Sequence, residues 1–369
     1  MAPWFRALAG DAELSVHVIF FREPDAQQQG AGFGQAFNWD VPLRQGYSSH
    51  VLDVPAGWRA VPTTWSRLRE ALLASKPDAV LITGWNEAGL LAAYPLARML
   101  GIPVVLRGEA NTLRRRSRLK STFHRLLLRF ASAVTVIGKG NRSFYIAHGV
   151  EQHKLFDGAY FVETERMLSM SQMHAAERQQ LRARAGFAED DFVFCFVGKH
   201  VAFKRPLLLV QAAALLRDRG FKVKLQFAGL GELTEEIRLR AEDLSVPVHF
   251  TGFLNQTELW RAYIPADAFV LPSTNAETWG LVTNEAMLFG LPVVVSSQIG
   301  CAQDLVRPGE TGYVFSDGAE SLADAMHALL QDKAAAAAMG QRARQLVMEH
   351  YSMHNATAGL KAALSSVCA

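Results

Sequence analysis

The sequence predicts an α/β protein of two units, each a parallel sheet whose strands alternate with helices. Short apolar runs closed by glycine or proline recur through both halves, as buried strands do, and stretches of helical period separate them. At 369 residues, 50% of them hydrophobic, the chain fills two cores at a length prior of ~150 residues per domain.

In the N-terminal half, segment 1–8 reads as a helix. Strands are expected at 15–21, 79–83, 103–107 and 133–137, with helices around 64–74 and 89–100. Strands in alternation with helices imply parallel pairing through right-handed crossovers. A polar, methionine-containing stretch, 163–191, is expected to link the halves, which places the domains at 1–185 and 186–350. In the second half, Phe192-Val-Phe-Cys-Phe-Val-Gly198 is a buried strand ending in glycine, and Pro206 suits the first position of the helix that follows. Strands at 223–227 and 248–252 each end in a glycine turn. Ala266-Asp-Ala-Phe-Val-Leu-Pro272 and Pro292-Val-Val-Val-Ser296 are further buried strands, separated by helical character over 283–289. The alanine run at 334–338 reads as helix, and 351–369 as a closing helix.

Composition excludes several classes. The net charge of +3 is nearly balanced, so no global nucleic-acid footprint exists, although a pI near 8.8 invites a search for a local basic patch. Cys195, Cys301 and Cys368 are scattered thiols without metal-ligand spacing, which fits a reducing compartment rather than a disulfide scaffold. No segment approaches the ~20 apolar residues of a membrane span. Asp11 and Glu13 within the first twenty residues speak against a signal peptide. A cytoplasmic protein is expected.

The most informative stretch is Glu277-Thr-Trp-Gly-Leu-Val-Thr-Asn-Glu285, two glutamates with seven residues between them. It lies between a strand and a helix, where ligands bind beyond the carboxyl ends of parallel strands and helix N-termini present unpaired N–H groups. The amides of Gly280, Leu281 and Val282 are placed to face a phosphate. A carboxylate in the first turns, Glu285, can accept hydrogen bonds from both hydroxyls of a ribose. Glu277, nearer the loop tip, is placed to meet a sugar. Earlier, Gly198-Lys199-His-Val-Ala-Phe-Lys204 delivers two ammonium groups after a strand. Breaking a bond between sugar and diphosphate develops negative charge on the leaving group, and fixed cations neutralise it. The turn at Gly229 and the loop Phe253-Leu254 complete the series.

Glu-x7-Glu in this setting resembles the signature of family 4 glycosyltransferases. The resemblance implies the GT-B fold, two Rossmann-like domains facing a cleft, and a retaining, metal-independent enzyme that uses a nucleotide-sugar donor without a further cofactor. It carries over Lys199, at a position where arginine is commoner, and Lys204 as diphosphate contacts, and gives the Phe253-Leu254 loop to the base. It sends the closing helix back to the first domain. It also implies an opening strand and polar loop that this sequence lacks, since segment 1–8 already reads as the helix after them. The first N-terminal strand is therefore expected to be missing.

On the acceptor side the family carries a histidine where this sequence has Glu109, after Arg107-Gly108. Glu109 either accepts the acceptor hydroxyl's proton or stabilises developing positive charge on the sugar, or else pairs with Arg107 or the arginines that follow. Trp85, Asn86 and Glu87 share that rim as candidates or as ordinary loop residues. His148 reads as a helix cap, His200 as a phosphate-loop residue that either touches the donor or is solvated, and His249 as packed. From Leu113 to Phe130 there are seven basic residues and no acid, with Leu119, Phe123, Leu126, Leu127 and Phe130 at helical spacing. The segment is either a membrane-surface or lipid-phosphate helix or a core helix with a basic outer face. The function expected is transfer of a sugar to a glycan or lipid-linked acceptor in cell-surface polysaccharide or glycolipid synthesis, with a peripheral position at the inner face of the cytoplasmic membrane if 113–130 meets lipid. The rivals are a nucleotide-sugar 2-epimerase of the same fold and an inactive nucleotide-binding relative.

Overall fold

A computed structural model describes residues 1–368, which part into two compact units. The first holds Met1–Asp25, Pro42–Tyr160 and the chain from Met353 on; the second holds Ala26–Val41 and Phe161–Ser352.

In the first unit the helix Ala2–Ala9 leads to β1 (His17–Phe20), which pairs in parallel with β2 (Ser48–Val51) as a two-stranded sheet. A separate four-stranded parallel sheet runs β3 (Val80–Ile82), β4 (Val104–Leu106), β5 (Ala133–Val136) and β6 (Leu155–Asp157), in sequence order. Sequence reading missed β2 because Ser48-Ser-His-Val offers no apolar run. It missed β6 because that strand is only three residues long. Leu68, Leu72, Tyr94, Leu96, Leu106, Val134 and Phe144 form the core. The closing helix Met353–Ser365 belongs to this unit. Trp4 Nε1 donates to Thr357 Oγ1 at 3.0 Å, and Lys361 pairs with Asp11 at 2.9 Å.

The basic tract forms the helix Arg118–Leu128, capped by Ser117, whose hydroxyl accepts from Lys120 N–H. Its apolar residues divide between two faces. His124, Leu127 and Leu128 turn into the core, while Leu119, Phe123 and Leu126 are 85%, 47% and 52% exposed. At 100° per residue those three share one outward stripe, with Arg118, Arg125 and Arg129 along one edge.

The second unit is one parallel sheet of six strands: β7 (Phe192–Val197), β8 (Val223–Ala228), β9 (Val248–Gly252), β10 (Ala268–Leu271), β11 (Val293–Ser296) and β12 (Gly312–Phe315). Their spatial order is β12-β11-β10-β7-β8-β9. The chain begins in the middle, adds β8 and β9 to one side, then crosses to β10 on the other. That is the order of the dinucleotide-binding fold, and it sets a crevice at the switch point, between the carboxyl ends of β7 and β10. Burial on both faces explains the near-continuous apolar strands: every residue of β7 is buried. Phe194, Phe196, Leu209, Phe227, Val270, Val294 and Met326 fill the core.

Two assignments differ from the sequence reading. Segment 163–191 is not a linker but contains the helices Thr164–Met173 and Arg178–Arg184, both in the second unit. Its methionines 167 and 170 are buried, and Arg178 and Arg182 hold Asp267 at 2.6 and 3.0 Å. Segment 26–41, expected with the first domain, clusters with the second.

Candidate functional site

The switch point of the second unit gathers most of the residues singled out in the sequence. The loops after β7, β8 and β9 are tied side by side. Gly198 N–H donates to the Ala228 carbonyl (2.9 Å), Gly229 N–H to that of Gly252 (2.8 Å), and His200 N–H to that of Leu230 (2.9 Å). The approach leaves no room for a side chain at 229, where a Cβ would stand 2.0 Å from the Gly198 carbonyl oxygen. Glycine is thus required at that turn by contact as well as by its φ of +127°.

From this rim the short helical turn Ala202–Lys204 carries Lys204 to the mouth of β10. Its Nζ donates to Glu277 Oε2 at 2.6 Å, with the two side chains only 12% and 17% exposed. Ser273 Oγ reaches the same carboxylate oxygen at 3.4 Å. Arg205, in the left-handed region at φ +49°, turns the chain into the helix Pro206–Asp218 and donates to the Pro272 carbonyl at 2.6 Å. Thr274 N–H donates to the Phe203 carbonyl at 2.8 Å. The β7 and β10 loops are therefore locked together, with an ammonium and a carboxylate between them.

Glu285 lies on the helix Leu281–Leu288, whose N-cap is Gly280 in the left-handed region. Leu281 and Val282 open this helix, where N–H groups have no intrahelical acceptor, while Thr283 N–H is donated back to the Gly280 carbonyl at 2.8 Å. Trp279 anchors the start, its Nε1 donating to Asn284 Oδ1 at 2.9 Å. Glu285 is half-buried and accepts a hydrogen bond from the buried Tyr263 hydroxyl at 2.8 Å. Burial pushes its carboxyl above the usual range, while the Tyr263 bond and the charges of Arg166 and Lys204 pull the other way. The same burial, with Glu285 beside it, lifts the Tyr263 phenol well above its ordinary value. A carboxylate held out of water at a cost is common where a ligand is bound.

Lys199 is not part of that cluster. Its Nζ donates to the Ala31 carbonyl and lies 5.1 Å from the centre of the Phe33 ring. Phe253 packs against Phe33 and Phe37, with ring centres 5.2 and 4.3 Å away. His200 is buried, its Nδ1 against Thr234 Oγ1 at 2.9 Å, and desolvation takes its pKa down to about 4. It is a core residue among Phe196, Phe227 and Phe250 rather than a loop residue in solvent.

In the first unit Glu109 is exposed and accepts from the Tyr160 hydroxyl. Arg107 donates to the carbonyls of Gly158 and Ala159 at 2.6 and 2.7 Å, and the Glu109 charge nearby favours its protonated form. Glu87 pairs with Arg22, and Trp85 packs on Phe144 and His124. His148 closes the helix Lys139–Ala147 and contacts the Phe144 carbonyl at 2.8 Å through Nδ1. Sequence reading missed Tyr263, Ser273 and Arg205 in the second unit. Only Arg205, next to Lys204, carried a signal. Among the described residues no three or more His, Cys, Asp or Glu side chains come together as a metal site, and no helix is long and apolar enough to cross a membrane.

Residues 177–346 match the family described as glycosyl transferases group 1, and residues 4–156 match the glycosyl transferase 4-like domain. Among similar proteins, the sulfoquinovosyl transferase of Arabidopsis thaliana is 30% identical over 187 residues, covering 50% of this chain and 35% of that protein. A GDP-mannose-dependent phosphatidylinositol monomannoside mannosyltransferase of Mycolicibacterium smegmatis is 31% identical over 198 residues, 51% of each. The chain spans about half the length, or less, of the curated relatives it matches. In fold it is similar to the Anabaena HepE protein solved with UDP and glucose, at TM-score 0.73, 17% identity and coverage of 99% and 95%. It is also similar to the sucrose-phosphate synthase of Thermosynechococcus elongatus, at TM-score 0.74, 18% identity and coverage of 97% and 90%.

Proposed function

The chain belongs to the GT-B glycosyltransferases whose group 1 and 4-like domains match its two halves, and from that premise we propose that it moves a sugar from a nucleotide-sugar donor to a hydroxyl of a glycan or lipid-linked acceptor, with retention and without a metal ion. The observation that carries this reading is the Lys204–Glu277 pair, 2.6 Å apart at the switch point, on the same rim as Glu285. In that role Lys204 exchanges Glu277 for the donor diphosphate, which releases the glutamate carboxylate to the hydroxyls of the sugar. Lys199 adds a second cation, and the amides at Gly280, Leu281 and Val282 add donors at a helix start. Glu285, fixed by Tyr263, takes the ribose hydroxyls, and Phe253 and Leu254 border the base.

The step is a substitution at the anomeric carbon. The bond from carbon to diphosphate oxygen breaks with its electron pair going to the diphosphate, where Lys199 and Lys204 balance the charge. The acceptor oxygen bonds to the same carbon, and its proton passes to a base, the role proposed for Glu109. The name of one similar protein, a phosphatidylinositol monomannoside mannosyltransferase, favours a lipid-borne acceptor. So does the outward stripe of Leu119, Phe123 and Leu126 beside arginines, which suits an anionic membrane surface.

Incubation with UDP-, GDP- and ADP-sugars and a panel of glycan and lipid acceptors tests this by mass spectrometry of the products. A glycosylated acceptor and a released nucleoside diphosphate are expected. Conversion of the donor to its epimer without acceptor would instead select the 2-epimerase, and neither product from any donor would leave only a nucleotide-binding protein.

A further inference from the structure

Segment 26–41 leaves the first unit after Asp25, packs on the second unit, and returns at Pro42. It contains a single charge, Asp40. After a helical turn, Ala26–Gln29, it runs as glycine-containing loop, with Gly32 and Gly34 at φ +84° and +73°. Its aromatic residues interlock. Phe37 lies 5.6 Å from Phe33 and 4.8 Å from Trp39, ring centre to ring centre.

What the segment covers is specific. Phe33 and Phe37 close on Phe253, at 5.2 and 4.3 Å, and the Ala31 carbonyl holds the ammonium of Lys199. Gly32 faces the same lysine: a Cβ there would meet its Cδ at 3.0 Å. Farther along, Asn255 Nδ2 donates to the Asn38 carbonyl at 2.8 Å, and Thr257 N–H donates to Asp40 Oδ2 at 3.2 Å. Every one of these second-unit partners lies on the loops after β7 and β9. The Lys204–Glu277 pair and the Tyr263–Glu285 pair, by contrast, have no partner in the segment among the described residues.

We infer that residues 26–41 form a strap docked in the base-and-diphosphate half of the nucleotide site, and that a nucleoside diphosphate binds by displacing it. The inference rests on the donor reading of Lys199 and Phe253 given above. Two physical comparisons support displacement. Among the described residues no carboxylate pairs with Lys199, which has a neutral carbonyl and a ring face; a diphosphate offers the same ammonium an opposite formal charge, a Coulomb attraction that a carbonyl does not supply. A nucleobase offers Phe253 the aromatic face that Phe33 and Phe37 now supply. The strap is also cheap to release, because most of its residues are exposed. Docked, it keeps the site partly closed, so that the apparent affinity for nucleotide is the intrinsic affinity multiplied by the fraction of molecules in which the strap is released.

The test uses the full-length chain and its Phe33→Ala/Phe37→Ala variant, with UDP, GDP and ADP as probes. Hydrogen exchange followed by mass spectrometry reads the strap amides, and calorimetry reads affinity. For the nucleotide that binds, the inference requires faster exchange over 30–37 in wild type. It also requires roughly tenfold tighter binding by the variant. Binding with unchanged exchange and unchanged affinity overturns the strap while leaving the donor site in place. Slower exchange together with weaker binding by the variant also overturns it, since the segment would then clamp the nucleotide rather than compete with it. If neither protein binds any of the three nucleotides, the donor reading itself fails, and the strap fails with it.

Discussion

Replacing Tyr263 by phenylalanine isolates what holds Glu285 in place. The hydroxyl is buried and donates to Glu285 Oε2 at 2.8 Å, and a hydrogen bond to a charged group contributes ~1.5–3 kcal/mol. Loss of one oxygen leaves little cavity, so Tyr263→Phe is expected to cost about 2 kcal/mol, a fall in Tm of roughly 4–8 °C for a domain of this size. The dependence on pH is the sharper part. Burial already holds the Glu285 carboxyl above its ordinary value in the folded chain. Such a group contributes stability that is fully present below the unfolded pKa and is lost as pH rises through the folded pKa. Removing the donated bond raises the folded value further, because that bond favours the ionised form. The gap in Tm between wild type and variant should therefore widen from pH 4.5 to pH 7.5. Thermal unfolding by circular dichroism across that range measures it, with nucleotide affinity as the second readout, since a carboxylate freed from Tyr263 is no longer oriented. A gap that stays constant with pH, or is below about 1 °C throughout, would refute the role given to this hydroxyl.

Three further outcomes are expected. Lys204→Ala should reduce turnover about 10²- to 10³-fold, as loss of a charge-stabilising donor does, and by far more than it changes Tm; equal turnover at saturating donor would remove Lys204 from the leaving-group site. Gly229→Ala places a methyl 2.0 Å from the Gly198 carbonyl oxygen at φ +127°, so about 3 kcal/mol or more of stability should disappear in urea unfolding; a wild-type midpoint would mean that the two loops do not meet. Leu119→Ser with Phe123→Ser, at exposed positions, should leave stability within ~0.5 kcal/mol. Co-sedimentation with anionic phosphatidylglycerol vesicles should drop several-fold, and undiminished sedimentation would assign the stripe to something other than lipid.

The second unit was legible because its signals were redundant. Strands buried on both faces read as unbroken apolar runs, glycines stood where loops touch, and Lys199, Lys204, Glu277 and Glu285 sat at spacings that strand-loop-helix geometry brings to one rim. Even so, Lys204 and Lys199, five residues apart in one loop, turned to different partners, which no spacing reveals. Tyr263 was invisible for a similar reason: its hydroxyl reaches Glu285 from a four-residue helix, a contact set by tertiary packing alone. In the first unit the signals were thinner. The strand Ser48–Val51 alternates in burial, but Ser48-Ser-His-Val carries no matching alternation of apolar and polar residues. The stripe of Leu119, Phe123 and Leu126 has the same helical period whether it faces a core or solvent, so only the fold could decide that it faces out. Segment 163–191 looked like a linker because its composition is polar, yet arginines anchored on Asp267 and buried methionines fold it into the second unit. The aromatic residues of 26–41 carried no motif, and their destination on Phe253 became visible only in three dimensions.

Calorimetric titration of the full-length chain with UDP, GDP and ADP, repeated for Lys204→Ala and Glu285→Gln, tests most directly whether the rim between β7 and β10 is a nucleotide-sugar site. One of the three nucleotides should bind wild type and lose at least tenfold in affinity, about 1.4 kcal/mol, in each variant. Binding that neither variant weakens would place the nucleotide elsewhere, and no binding by wild type would contradict the donor site altogether.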